Sequence, residues 1–449
     1  MRERGSFRQP GRGGILSPHR LPGADAPPSA RARWMPRLLI MEPSPDPPQP
    51  PGRWRILLLL SLAELLGMSL WFTASAVAPQ LQDVWGLSAQ QAGWLTTVVQ
   101  LGFVAGTAAA ALLNLADVLP ARPYFAVSAV CAAVANALLV AAPGFGAALV
   151  LRFLTGFFLA GVYPPAMKMI ATWFRSGRGL AIGTVVGALT LGKATPYLLR
   201  AFEGAGLEPV VLTASAGAVA AALLVGWGYR EGPFPFARRP FSWALVGTVV
   251  RHRPTRLAIG GYLGHMWELY AMWTFATGFF FDFFSVRGHA EALALRYSGM
   301  VGFAVIGTGA LGCVVAGVWA DRLGRERITI WAMATSGVCA LLIGWMMQAP
   351  FVLVLTVALV WGFAVVADSA QFSAVVTEVA PSHAVGTALT LQTSLGFLLT
   401  TVTIQGVPAL REAVGWPLAF GVLALGPLAG IAAMRRLENI RVHGAEGQP

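Results

Sequence analysis

The chain has 449 residues, 56% of them hydrophobic and only 12% charged, whereas soluble domains carry about 25% charged residues. That shortage of charge excludes a large soluble globule and implies a chain that crosses the bilayer many times. The net charge of +12 would suit nucleic acid in a soluble protein. Here the arginines cluster between apolar runs without an aromatic–basic recognition pattern, so topology accounts for them and no nucleic-acid partner is expected.

Residues 1–52 are rich in Arg, Pro and Gly, show no apolar period and are expected to be disordered. Met35 or Met41 is an alternative start. Twelve candidate spans follow, at 56–79, 91–115, 123–142, 146–173, 179–201, 209–229, 256–284, 298–320, 328–348, 351–378, 386–408 and 414–434, each near the ~20 residues a crossing needs. "FSWALVGTVV" in the polar stretch 231–255 is short for a span and reads as an interfacial helix. The order is therefore a six-helix unit (53–230), a cytoplasmic linker (231–255), a second six-helix unit (256–436) and a cytoplasmic tail (437–449). With the N-terminus inside, 17 arginines fall on the cytoplasmic side and 4 opposite, which orients both termini inward. "TASAVAP" at 73–79 also has the small-residue pattern of a signal-peptide cleavage site, but Glu64 interrupts its apolar run and cleavage would spoil the six-plus-six order.

Cys131, Cys313 and Cys339 lie inside apolar runs without metal-ligand spacing and read as small buried hydrophobes. Between spans eight and nine stands "GVWADRLGRERITI". Its Gly317, Asp321, Arg322, Gly324, Arg325 and Arg327 follow the pattern G-x-x-x-D-R-x-G-R-x-R and resemble the signature loop of the major facilitator superfamily. A degenerate first copy, "LLNLADVLPARPYF", keeps Asp117 and Arg122 but has Leu113 and Pro120 where glycines belong. Arg152 and Gly156 match the superfamily's R-x-x-x-G element, and the stretch from Trp173 to Gly183 is closest in style to its anion-transporting branches. The proline that drug exporters carry after the second glycine of span five is absent; Ala188 stands there. The resemblance covers residues 53–436. It implies an all-α integral membrane protein with twelve transmembrane helices in two pseudo-symmetric six-helix bundles, moving a solute by alternating access. It also implies a cytoplasmic latch made by Asp117, Arg122, Gly317, Asp321, Arg322 and Arg325, where charge-assisted contacts tie neighbouring helices.

The halves repeat internally. "ELLGMSLWFTAS" echoes "ELYAMWTFAT", pairing Glu64 with Glu268, and a second echo sets Lys193 against Thr400. Lys168 and Lys193 are the only lysines in the chain, and both lie in apolar segments. An ionisable group at the bilayer centre costs roughly 2.5–3.5 kcal/mol, so each marks a candidate site. Lys168, near the end of span four, can snorkel. Lys193 and Arg152 are expected to hold an anionic substrate together with His265, Trp71, Tyr163, Trp273 and Gln392. Glu64, Glu268 and Asp368 are expected to carry the proton, since a carboxylate withdrawn from water favours its neutral form. Internal ion pairs that only offset burial are the plainer alternative, and Arg152 resembles an arginine that the superfamily links to proton coupling.

The expectation is a monomeric bacterial inner-membrane transporter for proton-coupled uptake of a small organic anion. An exporter of amphipathic compounds and a non-transporting receptor with the same fold are the alternatives. Nothing in the sequence resembles a nucleotide-binding loop, a metal cluster or a catalytic triad, so neither cofactor nor enzymatic activity is expected.

Overall fold

The computed structural model describes residues 50–113, 115–202, 206–234 and 241–446, apart from the side chains of 116, 117 and 442–446. The expected disorder of 1–52 thus lies almost wholly outside the described residues, as does the Asp117 side chain of the first latch copy. Among the described residues the structure is helical throughout, without a strand.

In chain order the helices are α1 (Arg53–Met68), α2 (Thr73–Ala76), α3 (Ala78–Trp85), α4 (Ala89–Leu112), α5 (Leu115–Val118), α6 (Ala121–Ala137), α7 (Phe145–Leu159), α8 (Tyr163–Ala171) and α9 (Arg178–Arg200). Then come α10 (Leu207–Gly228), α11 (Trp243–Arg251), α12 (Arg253–Val286), α13 (Glu291–Leu323), α14 (Arg325–Ile343), α15 (Phe351–Ala367), α16 (Ser369–Val379), α17 (Val385–Gly421) and α18 (Leu425–Glu446). Among the described residues ten segments are long and apolar enough to cross a membrane. The expected count of twelve differs for two local reasons. The first span is divided into α1, α2 and α3, none long enough alone. The last two run together through α17, where Gly415 (φ 77°, ψ 178°) makes the bend between them.

Start signals are local. Ser88 Oγ accepts from Gln91 N at 3.2 Å while Gln91 Oε1 accepts from Ser88 N at 2.8 Å, a reciprocal cap that opens α4. Gly324 (φ 92°) separates α13 from α14 within the signature loop, a left-handed turn that a residue with a Cβ resists. The short α11 falls on the segment read as interfacial, with Trp243 and Val250 exposed on it.

Packing repeats in the two halves. α1 lies against α9 and α10 as α12 lies against α17 and α18; α4 lies against α7 as α13 lies against α15; α6 meets α10 as α14 meets α18. Glycine sets the closest approaches in both copies. A Cβ on Gly156 would stand 1.9 Å from Val99 O, and one on Gly362 would stand 1.8 Å from Val305 O. The halves meet along α9 with α13 and α4 with α17. Gly183 and Gly187 let α9 approach the α13 backbone at Cys313 and Ala310.

Candidate functional site

Between the halves lies a cavity of about 60 Å³, lined from the first half by Met68, Trp71, Phe103, Tyr163, Thr190 and Lys193. The second half contributes Tyr262, Met266, Tyr270, Trp273, Ser369, Ser373, Thr393 and Phe397. The wall from α12 follows helical period: Tyr262, Met266, Tyr270 and Trp273 stand on one face. The volume holds a few waters, well below the ~300–1,000 Å³ of sites that enclose larger ligands. The rings close it toward the end opposite the arginine-rich loops. Trp71 meets Phe103, Tyr270 and Phe397 with centroids 5.1–5.7 Å apart. Next to it in the α1–α2 break, Phe72 meets Tyr197 and Trp273, and Tyr197 Oη donates to Trp273 O at 3.3 Å. On the same side Gln405 Nε2 donates to Thr97 Oγ1 at 2.8 Å, joining α17 to α4.

Among the described residues Lys193 is the only cation on the cavity wall. Its Nζ donates to Tyr270 Oη at 2.5 Å and lies 4.3 Å from the Trp71 ring centroid, 4.8 Å from that of Tyr270 and 5.2 Å from that of Trp273. A lysine so placed is attracted by the ring quadrupoles. Among the described residues the buried indole N–H groups of Trp71 and Trp273 find no acceptor. Glu64, on α1, is buried within electrostatic reach of Lys193 and Tyr163, and among the described residues neither of its oxygens has a donor. Gly192, whose Cβ would meet Leu65 O at 2.2 Å, brings α9 close enough to α1 to set the two charges together.

Arg152, expected beside Lys193 as a substrate ligand, does not line the cavity. It is buried, and Nη1 donates to Leu70 O (3.1 Å), Thr73 Oγ1 (3.1 Å) and Asn136 Oδ1 (2.8 Å), while Nη2 donates to Trp71 O (2.5 Å). These partners lie at and beside the α1–α2 break, where helix-end carbonyls need donors. The arginine therefore fixes the backbone of Trp71, whose ring carries Lys193.

Glu268 also stands away from the cavity. Oε1 accepts from Trp361 Nε1 at 2.6 Å and Oε2 from Ser336 Oγ at 2.8 Å, so the carboxylate is held by α15 and α14. His265 Nδ1 lies 2.8 Å from Asp368 Oδ1, with both groups buried and His265 Nε2 unpartnered. Asp368 occupies the break between α15 and α16, one residue from the wall residue Ser369. Gln392 is buried behind the wall and donates to Ser373 Oγ at 3.4 Å. Thus Lys193, Trp71, Tyr163 and Trp273 meet at the cavity with Glu64 near them, whereas Arg152, Glu268, His265, Asp368 and Gln392 form a surrounding layer. Tyr270 was missed by sequence reasoning. Its signal is the apolar–aromatic stripe at 262, 266, 270 and 273, four- and three-residue steps that share a helix face.

At the arginine-rich end the second signature copy is knit together. Gly317 abuts Gly179 O, and a Cβ on Gly179 would meet Asp321 Oδ2 at 2.6 Å, which sets Asp321 over the first turn of α9. Arg325 donates to Glu378 at 2.7 Å and Gln371 at 2.6 Å and reaches Asp321 at 3.4 Å, joining α13, α14 and α16. Arg441 pairs with Glu326 and Glu378. Arg322 and Arg122 are exposed, and Lys168 is half-buried in the last turn of α8. Among the described residues no group of three or more His, Cys, Asp or Glu side chains could hold a metal ion.

Comparison with known proteins places this arrangement. No curated protein sequence matches the chain. Among solved structures, a crystal structure of the nucleoside transporter NupG is similar in fold, with a TM-score of 0.65 at 14% identity, covering 85% of this chain and 99% of that one. The family model described as Major Facilitator Superfamily matches residues 59–404. The chain is a multi-pass membrane protein and belongs to the major facilitator superfamily of transporters.

Proposed function

We propose that the protein moves a small organic anion, a carboxylate, together with a proton, by alternating access between its two halves. The observation that carries this reading is the cavity wall. Among the described residues its one charged group is Lys193, two indole N–H groups of wall residues lack acceptors, and no carboxylate lines it. Unsatisfied buried donors around a cation favour a ligand rich in acceptor oxygens. Glu64 would carry the proton. Charged, it balances Lys193 across the α1–α9 contact; protonated, it leaves Lys193 to an incoming carboxylate, so solute and proton move together. His265 and Asp368 hold the break in α15–α16 beside Ser369 and would transmit that change to the second half. The distribution of arginines supports a bacterial inner-membrane orientation with both termini in the cytoplasm.

The fold relative is a nucleoside transporter, which raises a second cargo class. The rings of Trp71, Tyr270 and Trp273 would stack on a nucleobase, but an uncharged nucleoside brings no counter-charge to Lys193 once Glu64 takes up a proton. Uptake into proteoliposomes under an imposed pH gradient decides, with labelled acetate, succinate, benzoate and uridine as probes. The reading requires gradient-driven uptake of a carboxylate that Lys193→Met abolishes and Glu64→Gln uncouples from the gradient. Uridine uptake insensitive to every carboxylate would overturn it. Efflux of amphipathic dyes unaffected by Lys193→Met would favour an exporter, and binding without flux would favour a receptor.

A further inference from the structure

Tyr270 touches Lys193 from the opposite half of the molecule, and this contact has a consequence for how a solute gains entry. Lys193 stands on α9 and Tyr270 on α12, so the 2.5 Å bond from Nζ to Oη spans the seam between the halves. The same tyrosine ring also stacks 5.7 Å from Trp71 of the first half and 5.2 Å from Phe397 of the second. The ammonium is enclosed on its remaining sides by Trp71 and Trp273. With about 60 Å³ of cavity beside it, the ammonium already gives one of its hydrogen-bonding directions, the one between the halves, to the phenolic oxygen.

We infer that Tyr270 is a positioning residue that stands in for the substrate. In the closed protein its hydroxyl occupies the substrate-oxygen position on Lys193 and thereby pins the two halves together, and a solute enters by displacing it. The inference rests on Lys193 being the substrate cation. It supplies what alternating access needs, since a ligand shifts a conformational equilibrium only through contacts that differ between the states. The closed state has Lys193–Tyr270; the open, loaded state has Lys193–carboxylate. The bond is charge-assisted and enclosed by rings, so its loss is expected to shift the closed-to-open ratio by about tenfold or more.

Tyr270→Phe isolates the oxygen, because the ring contacts persist. In full-length protein with Cys131, Cys313 and Cys339 replaced by alanine, spin labels at the exposed positions Val84 and Val286 report the separation of α3 from the far end of α12. The expected result, without any ligand, is a longer-distance population in Tyr270→Phe, the same population in Lys193→Met, and no further change in the double variant. An unchanged distance distribution in Tyr270→Phe, or additive shifts in the double variant, would overturn the inference. For whichever carboxylate the wild type transports, KM should fall three- to tenfold in Tyr270→Phe; a rise would also overturn it. The two readings fail separately. Carboxylate uptake that survives Lys193→Met, with the distance shift present, removes the substrate assignment and leaves the pin. Loss of uptake in Lys193→Met with no shift in Tyr270→Phe removes the pin and leaves the substrate assignment.

Discussion

Arg152→Met tests whether this arginine builds the site or binds the solute. The guanidinium donates four bonds, two of them to the backbone carbonyls of Leu70 and Trp71 at the α1–α2 break. Hydrogen bonds to charged groups contribute about 1.5–3 kcal/mol each in soluble proteins, while side-chain bonds in membrane helices average about 0.6 kcal/mol. Four bonds therefore bracket a loss of about 2–12 kcal/mol, with the membrane average setting the lower end. Two effects draw the value to the lower half. The Thr73 hydroxyl, 2.8 Å from Leu70 O and 2.6 Å from Asn136 Oδ1, still serves one of these acceptors, and methionine removes a charge that was costly to bury. The expected loss is about 2–4 kcal/mol, read as a shift in equilibrium unfolding in mixed micelles. Arg152→Lys should recover only part of it, because one ammonium cannot reproduce the planar fork that reaches Leu70, Trp71 and Asn136 together. A variant as stable as wild type, within about 0.5 kcal/mol, that has lost carboxylate binding would refute the reasoning and return Arg152 to the substrate.

Other variants probe the surrounding layer. Asp368→Ala leaves His265 buried without its partner and should cost about 3–5 kcal/mol, whereas His265→Leu combined with Asp368→Leu should cost less than either single change, as a double-mutant cycle would show. Gly156→Ala and Gly362→Ala each force a Cβ into a backbone carbonyl and should cost about 1–3 kcal/mol by overpacking; equal stability in thermal melts would contradict the glycine contacts. Glu268→Gln should keep gradient-driven uptake, since the amide can still accept from Trp361, and loss of gradient dependence there would assign the proton to Glu268. Arg325→Ala removes partly exposed contacts to Glu378 and Gln371; its cost should be below about 1 kcal/mol and should shrink further in high salt.

Hydropathy was enough to find the apolar segments, because burial in lipid writes itself into composition over some twenty residues. It could not find the breaks. Residues 56–79 read as one span, but the helix stops at Met68 and restarts at Thr73, and what stabilises the gap is an arginine 82 residues from Leu70. No local pattern encodes that distance. The repeat pairing of Glu64 with Glu268 likewise marks equal places in the two halves, not equal surroundings: Glu268 has Trp361 and Ser336 as donors, and Glu64 has none among the described residues. His265 and Glu268 do share a face, as their spacing implies. That face looks toward α14, α15 and α16, while the face bearing Tyr262, Met266, Tyr270 and Trp273 looks into the cavity. Period says which residues stand together, and only tertiary packing says what they look at.

A binding place between two like halves has near two-fold symmetry, and a solute seated there could face either way, related by a half-turn. On the proposed reading, Lys193 would remove that degeneracy. The residue set against it by the internal repeat is Thr400, buried with its hydroxyl turned back to Phe397 O. A carboxylate head would therefore rest on the first half throughout the cycle, leaving the remainder of the molecule to be read by the second. Such a carrier would handle a chiral acid as a hand handles a glove, and mirror-image solutes would travel at different rates through a pathway whose two halves repeat one packing order.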